Sequence, residues 1–205
     1  KSRSRGLGDV YKRQHIDIGG GLGTLKEDTN QTNIKEFSKT IMNDCSGRTE
    51  KIIIEPGRSI VGNAGVLLMK TEYVKTNGEK NFAIVDAGMN DYIRPALYQA
   101  EMEIKSVSPN SAQSKMYDIV GPVCESGDFL GKDRKLPIET GDLLCLCDAG
   151  AYGFTMSSNY NSRCRPTEIL IVGESLHVIR ERETFEDLIK NEKLIEYINL
   201  SLIHI

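Results

Sequence analysis

Residues 15–23, HIDIGGGLG, run from a short apolar strand, Ile16 to Ile18, straight into Gly19, Gly20 and Gly21. A glycine run lets the backbone turn tightly or approach a ligand closely. The following segment predicts a helix, with Asn33 as N-cap, Glu36 as its N3 partner, Ile34, Phe37 and Ile41 on one face, and Gly47 at the C-terminal end. Next comes KIIIEPGR, residues 51–58, whose uninterrupted Ile52–Ile53–Ile54 suits a strand covered on both faces. Strand, glycine loop, helix and buried strand form a βαβ unit of a parallel sheet. Two such elements cannot bury their own apolar faces, so they read as the tail of a larger α/β domain whose earlier units are absent from this chain.

Beyond Gly62 the texture becomes that of antiparallel β-structure. GVLLMKTEYVKT and NFAIVDAG flank Asn77–Gly78, a strong hairpin signal, TEILIVGESLHVIRER turns at Gly173–Glu174, and DLLCLCDAG is a further strand. The tripeptide Asp-Ala-Gly closes two strands, at Asp86–Gly88 and Asp148–Gly150, as two similar strand exits. Thr184 and Asp187 predict a capping box for a final helix bearing Phe185, Leu188, Ile189, Leu194, Ile195 and Ile198.

Composition narrows the class. The 26 Lys+Arg against 29 Asp+Glu give a formal charge of -3 without a basic stripe, which argues against nucleic-acid binding. No apolar run approaches the roughly 18 residues of a membrane span, and no signal-peptide pattern opens the chain, so a cytoplasmic protein is expected. The five cysteines include no CxxC pair, so neither a disulfide framework nor a metal site is expected. Cys145 and Cys147 alternate in LLCLC and so share one strand face, where core filling is the expected role. The ends differ from the rest: KSRSRGLGDVYKRQ is basic and aperiodic, and LSLIHI is a bare apolar tail. Both look like translated sequencing-adaptor read-through, so 1–14 and 200–205 are expected to be non-native.

Several motifs could carry chemistry, and each also has a structural explanation. The glycines 19–21 suit either a tight turn or a phosphate cradle. In EPGR, Glu55 could pair with a protonated ring nitrogen and Arg58 with a carboxylate, or the two could form a surface ion pair. In DAGMNDYIRPALY, Arg94 and Tyr98 suit a polar substrate, or an arginine stem laid over an aromatic ring. In GPVCESGD, Cys124 could donate a proton and Glu125 could bind an ammonium group. In DAGAYG, Tyr152 could hydrogen-bond a phosphate or carboxylate.

Taken in order, DIGGGLG, EPGRSIVGNAG, DAGMNDYIRPALY, DIVGPVCESGD, DAGAYGFTMSSNYNSRCRP and RERETFEDL resemble, over nearly all of residues 15–190, the meso-diaminopimelate decarboxylases. These are fold-type III enzymes in which a TIM barrel binding pyridoxal 5'-phosphate is followed by a β domain. The resemblance implies an α/β plus β chain: 15–62 as the last βα units of a truncated barrel, 63–183 as a mainly antiparallel β-barrel or sandwich, and 184–199 as a helix packing back toward the barrel. It implies that Gly19, Gly20, Gly21, Glu55, Pro56, Gly57 and Arg58 cradle the cofactor phosphate, with Tyr152 reaching it and Glu55 on the pyridine nitrogen. Arg58, Arg94 and Tyr98 would grip the distal end of the substrate, with Glu125 and Tyr152 assisting. Cys124 would return a proton after CO2 leaves, and Glu125 beside it would tend to keep the thiol protonated.

The family is a homodimer in which the Cys124 loop serves the partner's site, and the product is L-lysine. Its cofactor-binding lysine lies on an early barrel strand that has no counterpart upstream of His15, so the chain by itself is expected to be inactive. Its open βα faces are expected to make it poorly soluble. Alternative readings are a decarboxylase of the ornithine or arginine type, a non-catalytic regulatory homologue, or a plain β interaction module. A proton donor beside a carboxylate clamp favours the first-named enzyme.

Overall fold

The computed structural model describes residues 14–24 and 34–194. The expected tails, except Gln14, and Ile195 and Ile198 of the expected final helix lie outside the described residues, as does the expected N-cap Asn33. Strand β1 (His15–Asp17) pairs in parallel with β2 (Lys51–Ile53), in the register Ile16 opposite Ile52, and helix α1 (Ile34–Asp44) lies between them in sequence. The pairing extends past both strands, since the Lys51 N–H donates to the Gln14 carbonyl and the Glu55 N–H to the Gly19 carbonyl at 2.7 Å. The βα reading is therefore correct in topology. Burial is another matter: Ile53 and Ile54 are 37% and 38% exposed, and α1 buries no side chain. The apolar run that suits cover on both faces lacks neighbouring strands here, because among the described residues the sheet has only these two.

After α2 (Gly57–Val61) the chain builds a six-stranded mixed sheet from β3 (Leu67–Asn77), β4 (Lys80–Val85), β5 (Ile104–Ser106), β6 (Lys115–Val120), β7 (Phe129–Leu136) and β8 (Leu143–Leu146), in the spatial order β5-β8-β3-β4-β6-β7. The edge strands β5 and β7 approach each other, so the sheet is a nearly closed barrel. Every pairing is antiparallel except β4 with β6. A parallel pair needs a crossover, and residues 86–114 supply it, carrying the DAGMND loop and α3 (Arg94–Tyr98) across one end of the barrel. Alternate residues point inward: Met69 and Thr71 on β3, Ala83 and Val85 on β4, Tyr117 and Ile119 on β6, and Leu144 and Leu146 on β8.

Three sequence expectations change in detail. Asn77 pairs with Lys80, so the β3–β4 loop is Gly78–Glu79, one residue later than expected, with Gly78 supplying the positive φ of 60°. In LLCLC the core face belongs to Leu144 and Leu146, both fully buried, while Cys145 and Cys147 take the opposite, half-buried face. The final helix, α4 (Phe185–Ile189), keeps the expected Thr184–Asp187 capping box but ends at Ile189. Before it, β9 (Glu168–Val172) and β10 (Ser175–Arg180) form the expected hairpin about Gly173–Glu174 as a separate two-stranded sheet.

Two outcomes follow. Leu144→Ala should cost about 2–5 kcal/mol in urea unfolding, and Cys145→Ala less than about 1 kcal/mol, since only the leucine leaves a cavity in the core; equal losses would reverse the assigned faces. The Asp187 carboxyl is held below its ordinary value, chiefly by the Thr184 N–H and then by the Thr184 hydroxyl. A folded-state value below the unfolded one stabilises the cap above the usual Asp range and loses that effect as pH falls through the folded value. Amide protection at Thr184 and Asp187, taken relative to the intrinsic exchange rate at each pH, should therefore fall on acidification below about pH 4, and Asp187→Asn should remove that pH dependence.

Candidate functional site

Three loops meet at one end of the barrel, and buried polar groups join them. Asp128, which is buried, accepts the Met89 N–H on one carboxylate oxygen and the Val123 N–H on the other, both at 2.6 Å. It thereby ties the GPVCESGD loop between β6 and β7 to the DAGMND loop after β4. A Cβ at Gly121 would collide with this carboxylate, so the position requires glycine. The loop is closed again by the Gly121 N–H donating to the Asp128 carbonyl and the Asp128 N–H donating to the Glu125 carbonyl.

Within the DAGMND loop, Asp91 accepts the Gly88 N–H at 2.8 Å and the Asn90 side-chain amide at 3.0 Å. Burial pushes its carboxyl up from the ordinary range, against the Gly88 N–H and Arg163. Arg163 reaches in from the third loop, donating to Asn90 Oδ1 at 2.9 Å and to the Asp86 carbonyl at 2.6 Å. The loop carrying Cys124 and the SSNYNSR segment thus hang on one shared anchor.

Next to it, Arg58, Arg94, Tyr98, Ala100, Tyr152 and Met156 line a cavity of about 460 Å³. Arg94, at the first turn of α3, is 8% exposed and makes no ion pair among the described residues. Its Nη1 donates to the Tyr92 hydroxyl at 3.3 Å, and its guanidinium lies 5.8 Å from the centre of the Tyr152 ring. Burial pushes the Tyr92 phenol up, while Arg94 works against that shift. Tyr152 sits in the left-handed region, φ 60°, in the turn after β8, and that turn docks onto the segment after α2 through the Ala149 and Gly150 N–H groups and the Gly65 and Gly62 carbonyls. A buried guanidinium is costly without an anionic partner. With two arginines, two tyrosines and no carboxylate among the described residues, this cavity matches an anionic ligand.

The remaining expected residues divide into two groups. Gly19–Gly21 follow β1 directly; Gly19 and Gly21 have φ of 72° and 103°, and a Cβ at Gly20 would stand 2.5 Å from the Glu55 carbonyl oxygen. The glycine loop therefore lies against EPGR. Gly57 adjoins the cavity, since its absent Cβ would be 3.9 Å from the Tyr152 hydroxyl, and Pro56 is the N-cap of α2. Glu55 is exposed at the same strand end. Cys124 and Glu125 are exposed and absent from the cavity lining. Glu125 instead accepts the Tyr160 hydroxyl at 3.0 Å, which pushes that phenol up. One chain does not unite the thiol and the arginines.

Tyr160, Arg163, Asp128, Asn90, Asp91 and Tyr92 were not singled out by sequence reasoning. All lie within or beside quoted motifs, and the clustering of short polar residues in MND and SSNYNSR was the available signal. No group of three or more His, Cys, Asp or Glu side chains among the described residues is placed to hold a metal ion.

The family model described as the pyridoxal-dependent decarboxylase C-terminal sheet domain matches residues 10–150. The diaminopimelate decarboxylase of Pseudomonas aeruginosa is 52% identical over 182 residues, covering 89% of this chain and 44% of that protein. The crystal structure of diaminopimelate decarboxylase from Helicobacter pylori complexed with L-lysine superposes with a TM-score of 0.77 at 42% identity, over 86% of this chain and 44% of that one. The enzyme of the same name from M. jannaschii gives 0.83 at 36% identity, over 92% and 45%. The chain therefore spans less than half the length of these relatives, and it belongs to the pyridoxal-dependent decarboxylases, whose C-terminal sheet domain it carries.

Proposed function

We propose that the protein to which this chain belongs decarboxylates meso-2,6-diaminopimelate to L-lysine and CO2 with pyridoxal 5'-phosphate. The observation that carries this is the cavity in which buried Arg94 has no carboxylate partner among the described residues and lies with Arg58, Tyr98 and Tyr152. It is complementary to a substrate carboxylate, and the L-lysine bound by the relative from Helicobacter pylori has the same amino-acid end.

The residues present fit a phosphate-bearing cofactor. The glycine loop has no room for a Cβ at Gly20 against EPGR, and Arg58 and Tyr152 stand beside Gly57 at that edge. Gly19, Gly20, Gly21, Glu55, Pro56, Gly57 and Arg58 would hold it, with Tyr152 on the phosphate and Glu55 on the ring nitrogen. When bound, it supplies the sink for the electron pair left at the α-carbon as CO2 departs. The Cys124 thiol then delivers its proton to that carbon. Arg58, Arg94 and Tyr98 orient the distal carboxylate, and Glu125 receives the distal ammonium, so a substrate with a single amino-acid end loses one of two charge contacts. Cys124 and Glu125 lie outside the cavity, which supports a homodimer in which each copy's loop completes the other's site. A domain division near residues 62 and 183, and a cytoplasmic location, go with this reading. Among the described residues no lysine lines the cavity, in keeping with the expectation that the chain by itself is inactive.

In the full-length holoenzyme, Cys124→Ala should lower kcat for CO2 release by roughly 10²–10⁴ while leaving lysine binding in place; unchanged turnover removes the thiol from the mechanism. Arg94→Lys keeps the charge but not the fork, and should raise KM for diaminopimelate about tenfold. Faster CO2 release from ornithine or arginine than from diaminopimelate overturns the substrate.

A further inference from the structure

Glu125 has no cation of its own among the described residues, and one of its two carboxylate oxygens is occupied by a phenol. That phenol is presented by an unusual turn. Asn161 and Ser162, directly after Tyr160, both adopt left-handed backbone, φ 58° and 54°, which non-glycine residues seldom take even singly. The turn is fixed on both sides. The Tyr160 N–H donates to Ser158 Oγ, the Asn159 amide donates to the Arg163 carbonyl and to Glu183, and the Arg163 guanidinium is bound to Asn90 and the Asp86 carbonyl. Glu125 is fixed from the other direction, because its carbonyl accepts the N–H of Asp128, whose carboxylate grips Met89 in the same loop as Asn90. Both partners of the bond are thus anchored to one short segment, residues 86–91, which sets their separation.

We propose that Tyr160 is a positioning residue for Glu125: its hydroxyl pins one carboxylate oxygen, leaving the other to receive the distal ammonium of the substrate, so selection for that ammonium depends on Tyr160. This rests on the assignment of Glu125 as the substrate-selecting acid. Without the phenol, an exposed glutamate is free to swing among rotamers, and the ammonium meets a carboxylate that must first be ordered. The bond to Glu125 also raises the Tyr160 phenol from its ordinary value, as expected for a hydroxyl that donates to a carboxylate.

The test compares wild type, Tyr160→Phe, Glu125→Gln and the double variant in the full-length holoenzyme. It measures kcat and KM for meso-diaminopimelate and the inhibition constant of 2-aminopimelate, which keeps the distal carboxylate but lacks the distal amine. Tyr160→Phe should raise KM for diaminopimelate roughly fivefold or more with kcat within about twofold, as expected for losing a hydrogen bond to a charged group. It should leave 2-aminopimelate inhibition unchanged and add nothing to Glu125→Gln. If Glu125→Gln raises KM and Tyr160→Phe does not, the positioning role is overturned while the reading of Glu125 stands. A parallel loss of diaminopimelate and 2-aminopimelate binding in Tyr160→Phe overturns it in favour of a merely structural tyrosine. If Glu125→Gln has no effect on KM, the assignment of the acid fails and the proposal fails with it.

Discussion

The carboxylate of Asp128 is the joint on which the functional end of the molecule depends. A buried carboxylate without a counter-ion is tolerable only when its oxygens are fully hydrogen-bonded. Here each oxygen takes a 2.6 Å bond from a backbone N–H, one in its own loop at Val123 and one 39 residues earlier in sequence at Met89. Because both donors are main chain, the bonds fix two backbones rather than two mobile side chains. The path of the Cys124 loop follows from this: Gly121 must pass the carboxylate without a Cβ, and Cys124 and Glu125 fall on the outward side of the turn. Asp91 and Arg163 repeat the device on the neighbouring segment, so three loops of unrelated sequence share one rigid anchor.

Electrostatics then separates two surfaces. Among the described residues the cavity holds two guanidiniums and no acid, whereas the Cys124 loop exposes an acid with no base. Each lacks what the other offers, so within one chain neither is a complete recognition site for a zwitterionic group. On the proposed reading the substrate's distal end supplies the missing charges to both at once. This accounts for the cost of burying Arg94 without a protein carboxylate: an internal partner would compete with the ligand for the same fork.

Local chemistry in the sequence revealed the parallel β1–β2 pair, the glycine turn, the β9–β10 hairpin and the Thr184 capping box, because each is decided by a few neighbouring residues. Features settled by tertiary packing were not legible. Alternation in LLCLC defines two faces without saying which is inward; β3 and β5 on either side select Leu144 and Leu146. The apolar count of Ile52–Ile54 speaks for burial only if neighbouring strands exist. Among site residues, arginines, cysteine and glutamate announce themselves by type, but Tyr160 and Asp128 matter through bonds to partners 35 and 39 residues away, which no local window contains.

The exposed isoleucines bear on the cavity as well as on stability. Ile18, Ile53 and Ile54, with Ile34 and Met42 of α1, present apolar surface that a two-stranded parallel sheet cannot cover, and such pairs are found with both faces packed. Yet α2, which brings Arg58 and Gly57 to the cavity, follows β2 by only the turn at residues 54–56, and its far end is held to the barrel through Gly62, Gly65, Ala149 and Gly150. The cationic wall is therefore supported at one end by a packed barrel and at the other by a thinly covered sheet. Arg94, set in the crossover of the barrel itself, does not share that weakness. Any cover laid over β1 and β2 should consequently stiffen Arg58 and the glycine loop more than Arg94, coupling the order of the phosphate edge to the completeness of the sheet behind it.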